Sequence, residues 1–326
     1  MINLVQNELI KLVRKKRLYV IVAIVAVLVA LFTYAQMKEV KTLQERLGTT
    51  DWRTQLQQDI VNSQNRLASK TIPDDFRKYL LISVSQQEYY LEHDVDPSAP
   101  GAPTFMRIFL ENSIDLLMPL MVVVVVGDLV SSELSGGTIK MLLTRPVKRS
   151  RILLSKFLTM ILSVSFIVLS LGILSYLISG VVFGYSGWTM PILTGFSTNG
   201  YDLVTTNVHE IGQWQYLLME FGLTWFVGII VGSITLMLSV LMRSTAAVTG
   251  VMLATLISGP ILANMASSWE SAKYLFMVNL RITNYISGGA PPIQGMNLGF
   301  SMVILTIWGI TALVVAFITF TKRDVY

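Results

Sequence analysis

The sequence predicts an all-α membrane protein with six transmembrane helices, an N-terminal amphipathic helix, a short cytoplasmic helix and a helical extracytoplasmic insert. The first observation is composition: 53% of the 326 residues are hydrophobic and 14% are charged, whereas about a quarter are charged in soluble domains. The second is six separate apolar segments, each close to the roughly 20 residues that cross a bilayer core. The third is the clustering of basic residues beside these segments.

Residues 1–17 are predicted to form an amphipathic helix that lies in the membrane plane and bends into the first span, residues 18–36. Leucines and valines form its apolar face, opposite a charged face of Glu8, Lys11 and Arg14. Anchoring to anionic lipid explains these charges equally well, at about 1 kcal/mol per basic residue. Both interpretations of the charged face stay open.

The same criterion predicts the other five spans at residues 112–131, 153–178, 217–241, 245–266 and 298–320. An even number of spans places both termini on one side of the membrane. Five of the 25 Lys and Arg residues precede the first span, six lie within 140–156 and two follow the last span. By the positive-inside rule, both termini are predicted to be cytoplasmic in a multi-pass protein of the bacterial plasma membrane.

Residues 37–111 are predicted to form a polar extracytoplasmic insert between the first two spans. Apolar residues recur there at three- to four-residue spacing on both sides of a proline, which indicates a helical hairpin. The pair Tyr89 and Tyr90 either packs against the membrane domain or contacts a substrate or an accessory protein. Residues 112–326 form the remaining transmembrane domain, in which 268–297 is predicted to be a re-entrant or interfacial segment.

The polar connection between spans two and three, residues 132–152, is the most specific feature of the sequence. Two glycines end the helix of the second span, Thr138 caps a short following helix, and the pair Arg145 and Pro146 ends it. The apolar face of this short helix suits docking into a groove on another protein. The residues expected to carry the docking are Gly137, Thr138, Leu142, Leu143, Arg145, Pro146 and Arg149, and the family resemblance described next adds Glu133.

Several residues of this connection follow one another in a recognisable order: Glu133, Gly137–Thr138, Leu142–Leu143, Arg145–Pro146–Val147, Arg149 and Lys156. With this run the chain resembles the membrane permease subunits of ABC-2 type transporters. The N-terminal helix is similar to the elbow helix of that family, and Lys322–Arg323–Asp324 resembles its usual ending. The resemblance implies that the short cytoplasmic helix is a coupling helix that contacts a separate ABC ATPase subunit. It also implies a second permease half in the membrane, which makes a homodimer or a heterodimer.

The function that the resemblance implies is a permease subunit of an ATP-driven exporter of a hydrophobic or amphipathic substrate. This chain has no phosphate-binding loop, because Gly136 to Lys140 has the wrong spacing for one. ATP and Mg²⁺ are therefore expected on the ATPase partner, and no cofactor is expected here. Two other functions stay open: a non-transporting membrane scaffold or sensor that uses the insert, and an ion-coupled secondary transporter.

Other chemistries have little support in the sequence. His209–Glu210 begins like the zinc-binding H-E-x-x-H pattern, but Gln213 replaces the second histidine, so neither a metal site nor an enzyme is expected. The chain has no cysteine. Its net charge of +5 does not indicate nucleic acid, because the basic residues flank the apolar spans.

Four acidic residues lie within or at the edges of the predicted spans: Asp115, Asp128, Glu133 and Glu220. Ionisable residues at such depths are functional candidates by default. Solvation near the membrane surface, or pairing with a nearby Arg or Lys, explains them equally well.

Overall fold

Long helices make up most of the chain, which is 79% helical. The structure is a computed structural model that describes residues 1–47, 51–69, 74–97, 101–138, 147–199, 202–265, 269–289, 291–293 and 295–322. Its helices are, in chain order, α1 (Ile2–Arg14), α2 (Arg17–Leu47), α3 (Trp52–Leu67), α4 (Asp74–Glu92), α5 (Ala102–Ser113), α6 (Leu117–Val126), α7 (Asp128–Ser135), α8 (Arg149–Phe183), α9 (Gln213–Leu241), α10 (Thr245–Met265) and α11 (Leu298–Lys322).

Within the described residues, six helical segments are long and apolar enough to cross a membrane, and each overlaps one of the predicted spans. They are Arg17–Thr42, Leu117–Ser135, Arg149–Phe183, Gln213–Leu241, Thr245–Leu262 and Leu298–Lys322. This number agrees with the six predicted spans, and the architecture is that of an all-α, multi-pass membrane protein. Most of these helices run past the apolar residues into polar flanks, because backbone hydrogen bonding continues where hydropathy falls.

The second span is interrupted at Gly127, between α6 and α7. A β-carbon at this position would lie 2.8 Å from the carbonyl oxygen of Val123. The buried Ser239 hydroxyl of α9 accepts hydrogen bonds from the amides of Val130 and Ser131, at 3.1 and 2.9 Å. It also donates to the carbonyl oxygen of Gly127, at 2.9 Å. One hydroxyl thus satisfies backbone groups that find no water inside a bilayer, and it fixes α7 against α9.

Helix α9 is the centre of the bundle, in contact with α5, α6, α8 and α11. Small residues allow the close approach. A β-carbon at Gly228 of α9 would lie 2.6 Å from the Val164 side chain of α8, and one at Gly309 of α11 would lie 2.6 Å from Ile230. Such contacts replace the hydrophobic driving force that is missing between helices in lipid.

The predicted insert contains the helix pair α3 and α4, and α4 contacts the rest of the chain through its polar and aromatic residues. Gln86 donates hydrogen bonds to the carbonyl oxygens of Ser287 and Gly288, at 3.2 and 2.9 Å. The ring of Tyr89 meets the ring of Phe196 edge-on, with centroids 5.5 Å apart. Tyr89 therefore packs against the loop that carries Phe196, and contact of the insert with a substrate or an accessory protein stays a prediction.

Residues 102–111, which the sequence places in the insert, form most of α5, and the helix ends at Ser113, inside the predicted second span. This helix packs against α8 and α9, and most of its side chains are buried, including Phe105, Phe109 and Leu110. It lies against the spanning helices because its apolar residues cover one face, with Arg107 and Glu111 among the polar exceptions.

The described residues between α8 and α9 include four short strands, where no strand is predicted from the sequence. β1 (Pro191–Thr194) pairs with β4 (His209–Gly212), and β2 (Ser197–Asn199) pairs with β3 (Asp202–Val204), both antiparallel. β-Branched residues at these positions favour extended backbone, and the Gly and Asn residues between them favour turns.

The predicted re-entrant or interfacial segment contains three short 3-10 helices, Glu270–Tyr274, Phe276–Asn279 and Ile282–Tyr285. They pack against α10, α9 and α11. The Trp308 indole of α11 donates to the carbonyl oxygen of Tyr274 at 2.9 Å. Arg281 forms an ion pair with Asp115, which lies between α5 and α6. The depth of this segment in a membrane stays a prediction.

Candidate functional site

The N-terminal helix α1 packs against α8 and α2 through one face. Leu12 and Glu8 are buried, whereas Lys11 keeps 45% of its side chain exposed. After α1 the chain turns at Lys16, whose φ of +55° is in the left-handed region, and α2 begins at once. A separate amphipathic helix that bends into the first span is what the sequence predicts, while its role as an elbow in the membrane plane stays a prediction.

Four charged side chains form a closed ring in which positive and negative charges alternate. Nζ of Lys11 lies 2.8 Å from Oε1 of Glu8 and 2.7 Å from Oε1 of Glu133. Nζ of Lys156 lies 3.0 Å from Oε2 of Glu8 and 2.8 Å from Oε2 of Glu133. We call these four residues the ion ring. It joins α1 to α7 and α8, the two helices on either side of the 132–152 connection.

Lys156 is the most deeply buried member of the ion ring, with none of its side chain exposed. Its ammonium also donates to the carbonyl oxygen of Leu129, at 2.6 Å, so three oxygen atoms surround it. A buried ammonium is tolerated only when its charge and its donors are all satisfied. The position of α8 relative to α1 and α7 therefore depends on this side chain.

Lys11 closes the ring on its more exposed side. Partial burial lowers the pKa of Lys11, but hydrogen bonds to Glu133 and Glu8 and the charges of these carboxylates outweigh this effect. The pKa of Lys11 consequently lies above its ordinary value of 10.5. The ring is thus closed by a charged ammonium throughout the neutral range.

A second ion group lies one helical turn away, around the buried Asp128 at the start of α7. Its Oδ2 is 2.5 Å from Nζ of Lys15 and 3.1 Å from the Arg17 guanidinium. Thr245 of α10 donates to Oδ1 at 3.3 Å. Arg17 also donates to the carbonyl oxygen of Val124, at 2.7 Å. The junction of α1 and α2 is therefore tied to both halves of the second span.

The structure brings three of the predicted site residues together: Glu8, Lys11 and Glu133 meet in the ion ring. Gly137, with φ of +68°, follows the C-cap of α7 in the left-handed conformation that commonly ends a helix. Arg149 begins α8 and donates to the carbonyl oxygen of Thr321 in α11, at 3.4 Å.

The remaining predicted site residues are either exposed or outside the described residues. Arg14 and Thr138 are exposed. Residues 139–146 lie outside the described residues; they include Leu142, Leu143, Arg145 and Pro146. The predicted coupling helix therefore stays a prediction.

Three residues that make contacts at this end of the bundle are not among the site residues predicted from the sequence pattern. Lys156 entered only through the family resemblance, and neither Lys15 nor Ser239 was named as part of a site. The sequence does contain an indication that Lys156 is important. It is the last charged residue before the long uncharged stretch of the third span. Such a charge needs an acidic partner, and the acidic residues at the other helix ends were the candidates.

Pairing explains three of the four acidic residues noted in the spans, since Asp115, Asp128 and Glu133 each meet a basic side chain. Glu220 differs. It is fully buried in α9, and neither carboxylate oxygen has a hydrogen-bond partner in the part of the chain that the structure describes.

His209 lies at the start of β4 with both ring nitrogens near groups of the same loop. Nδ1 is 3.0 Å from the carbonyl oxygen of Asn207, and Nε2 is 3.4 Å from the Thr194 hydroxyl. Among the residues with described positions, no three His, Cys, Asp or Glu side chains are grouped to hold a metal ion.

The chain is similar to two proteins of Bacillus subtilis (strain 168). The "Uncharacterized protein YhcI" is 27% identical over 328 residues, which cover 100% of this chain and 99% of that protein. The "Uncharacterized membrane protein YdbK" is 28% identical over 215 residues, or 65% of this chain and 80% of that protein. Residues 76–326, which include Glu133, Lys156 and Glu220, match the family described as "Protein of unknown function (DUF2705)". The chain thus belongs to the DUF2705 family.

Proposed function

We propose that this chain is the membrane-spanning permease subunit of an ATP-driven transporter of the ABC-2 type, working as an exporter with a separate cytoplasmic ATPase. The observation that carries the proposal is the ion ring. It joins α1 to the two helices that flank the connection resembling a coupling helix, so three elements at one end of the bundle are linked as one unit.

The contacts around the ring support a mechanical role for this end. The connection leaves α7 at Gly137 and returns at Arg149, and Lys156 follows two helical turns later. Ser239 fixes α7 to the central helix α9, while Arg149 contacts the end of α11. Movement of the connection by an ATPase would therefore be transmitted to α1, α7 and α8 together. In this proposal ATP and Mg²⁺ are bound by the ATPase, and a second permease half completes the transporter.

The test is purification of the tagged chain in mild detergent from its native membrane, with identification of the co-purifying proteins. We expect an ABC ATPase with the wild type and its loss in the double variant Leu142→Ala, Leu143→Ala. The matched control is Tyr79→Ala, which removes an exposed side chain of α4. Thermal unfolding of each variant shows whether the bundle itself is intact. Absence of any ATPase from the wild type, or its full retention by the double variant, would overturn the proposal.

A second candidate function, a membrane sensor or scaffold that uses the insert, is favoured by one contact. Gln86 of α4 bonds to the backbone at Ser287 and Gly288, and this links the insert to the segment between α10 and α11. Removing α3 and α4 while keeping α5 discriminates the two functions. Without α3 and α4, a sensor would lose its response to an extracellular ligand and would not depend on an ATPase. A transporter without α3 and α4 would still bind its ATPase.

A further inference from the structure

Three polar residues lie on the buried face of α9 at four-residue spacing: Tyr216, Glu220 and Thr224. Residues at this spacing occupy the same side of a helix. None is more than 1% exposed, and Glu220 and Thr224 are fully buried. Their neighbours in the chain, Leu218 and Met219, are exposed, as expected for side chains that face lipid. This part of the central helix therefore presents a polar stripe to the interior of the bundle.

The polar groups of this stripe are incompletely satisfied. Within the described residues, neither carboxylate oxygen of Glu220 nor the Thr224 hydroxyl has a hydrogen-bond partner. Such groups normally carry a high desolvation cost and are rare in native structures. A carboxylate that retains this cost in the spanning region is a candidate for a ligand contact.

The charges around Glu220 do not balance. Arg107 and Glu111 of α5 are the charged groups that act on it electrostatically. The Arg107 guanidinium lies 5.6 Å from the centre of the Tyr216 ring and donates to the carbonyl oxygen of Pro97, at 3.0 Å. The group therefore has one basic side chain, Arg107, and two acidic ones, Glu111 and Glu220. One further positive charge would be needed to balance it.

In the described part of the chain, the other helices packed against α9 do not supply the missing charge: α7 carries only acidic charges and α10 carries none. Helix α6 has no charged residue, and the only described charge of α11 is Lys322 at its end. The basic residues of α8 lie near its start, where Lys156 belongs to the ion ring. Lys156 lies at the end of the bundle where Ser239 contacts α7, and Ser239 is about 28 Å along α9 from Glu220.

We propose that Glu220 is the anionic anchor of a binding site for a ligand with a single ammonium group on an apolar body. The cationic group would occupy the carboxylate, with the Tyr216 ring and the Thr224 hydroxyl beside it. The apolar body matches the surrounding core, which includes Leu217 and Phe221. A hard divalent cation fits less well, because it takes six or more oxygen ligands.

As a statement about what the protein exports, this inference rests on the proposed function. Binding itself needs no ATPase, so it is tested on the purified chain alone. Loss of ATPase contact in the Leu142 and Leu143 variants and loss of ligand binding in a Glu220 variant are separate results, and either can fail without the other.

The experiment compares octylammonium with octanol, a neutral probe of the same chain length, by the shift in thermal unfolding temperature across a concentration series. We expect Glu220→Gln to weaken octylammonium binding at least ~10-fold, as for loss of one charge-assisted contact, and to leave octanol unchanged. The matched control is Glu210→Gln, the same substitution at an exposed residue of β4. All proteins are kept in one detergent, so that partition of the probes into micelles is the same for each.

The variant Glu220→Asp keeps the charge and is expected to retain the preference for octylammonium. This result would separate recognition of charge from a general effect on folding. Equal octylammonium binding by the wild type and Glu220→Gln would overturn the proposal, because the carboxyl group would then be a protonated structural group. A wild type that does not prefer octylammonium to octanol, or a Glu220→Gln variant that loses both probes equally, would overturn it as well.

Discussion

Glu133 and Glu220 are both acidic residues in spanning helices, but their surroundings are opposite. Glu133 shares its two oxygens between Lys11 and Lys156. Glu220 is more deeply buried, and its carboxylate has no hydrogen-bond partner among the described residues. The comparison shows that burial alone does not reveal what an intramembrane carboxylate does. The number of charges left uncompensated around it separates a structural contact from a candidate binding group.

The difference between Glu133 and Glu220 also predicts opposite effects of substitution on the free energy of unfolding. Removing one member of a balanced buried ion group leaves the others uncompensated, and this is strongly unfavourable. Removing an uncompensated group relieves a desolvation cost that the folded state already carries. Stability measurements on matched variants can therefore test the comparison without knowledge of substrate or partner.

The largest effect is expected for Lys156→Met, which leaves Glu8 and Glu133 facing each other without their buried cation. We expect the free energy of unfolding in mixed micelles to fall by about 3–5 kcal/mol. The control is Lys148→Met, at an exposed position just before α8, where little change is expected. Replacing all four members of the ion ring by Met should recover much of the loss. If Lys156→Met were as stable as the control, the inference that Lys156 is the buried cation of the ion ring would be wrong.

The second prediction is that substitutions at the two compared carboxylates have opposite signs. Glu133→Gln should destabilise the protein by about 2 kcal/mol, because the amide cannot satisfy two ammonium groups. Glu220→Met should stabilise it by about 1–3 kcal/mol, because a buried and unsatisfied polar group is removed. Both are measured by the same unfolding assay. Destabilisation by Glu220→Met would mean that Glu220 makes a structural contact after all.

A smaller effect is expected for the coupling between Lys11 and Glu133. A double-mutant cycle with Lys11→Met and Glu133→Gln should give a coupling energy of about 0.5–1 kcal/mol, since Lys11 is close to half exposed and screened by water. The same cycle with Lys156→Met should give a larger value. Equal values for both cycles would contradict the inference that burial sets the strength of each edge of the ring.

The smallest effect is a pH dependence at alkaline pH. The pKa of Lys11 is raised in the folded protein, so the charged ammonium contributes stability that is fully present below its ordinary value and is lost as pH rises through the folded value. As pH rises above the ordinary value of 10.5, the wild type should lose more stability than Lys11→Met. Thermal unfolding across this range measures the difference. Identical pH profiles would show that Lys11 does not close the ring.

Much of the fold follows from local information. Six helices of the described residues overlap the predicted spans, because hydropathy over about 20 residues is a local property. The four strands were missed because strands of three or four residues depend on pairing across a loop. Helix α5 was assigned to the insert because its amphipathic pattern does not reveal that its apolar face packs against α8 and α9.

The ion ring could be predicted only in part. Glu8, Lys11 and Glu133 are predicted separately as site residues, from the helix face and the family resemblance. Their meeting depends on tertiary packing of helices far apart in the chain. The full burial of Lys156 and the isolation of Glu220 have the same origin, since a sequence shows the charge but not the distance to its partners.

The contact between Glu8 and Lys156 also constrains how the protein is made. The two residues are 148 positions apart, and a ribosome adds about 5–20 residues per second. The N-terminal helix is therefore complete roughly 7–30 seconds before its buried partner exists. During that interval burial of the Glu8 carboxylate would leave it without the buried ammonium of Lys156, so the contact forms only after Lys156 has been made. The final docking of α1 becomes a late step of biogenesis that the third span completes.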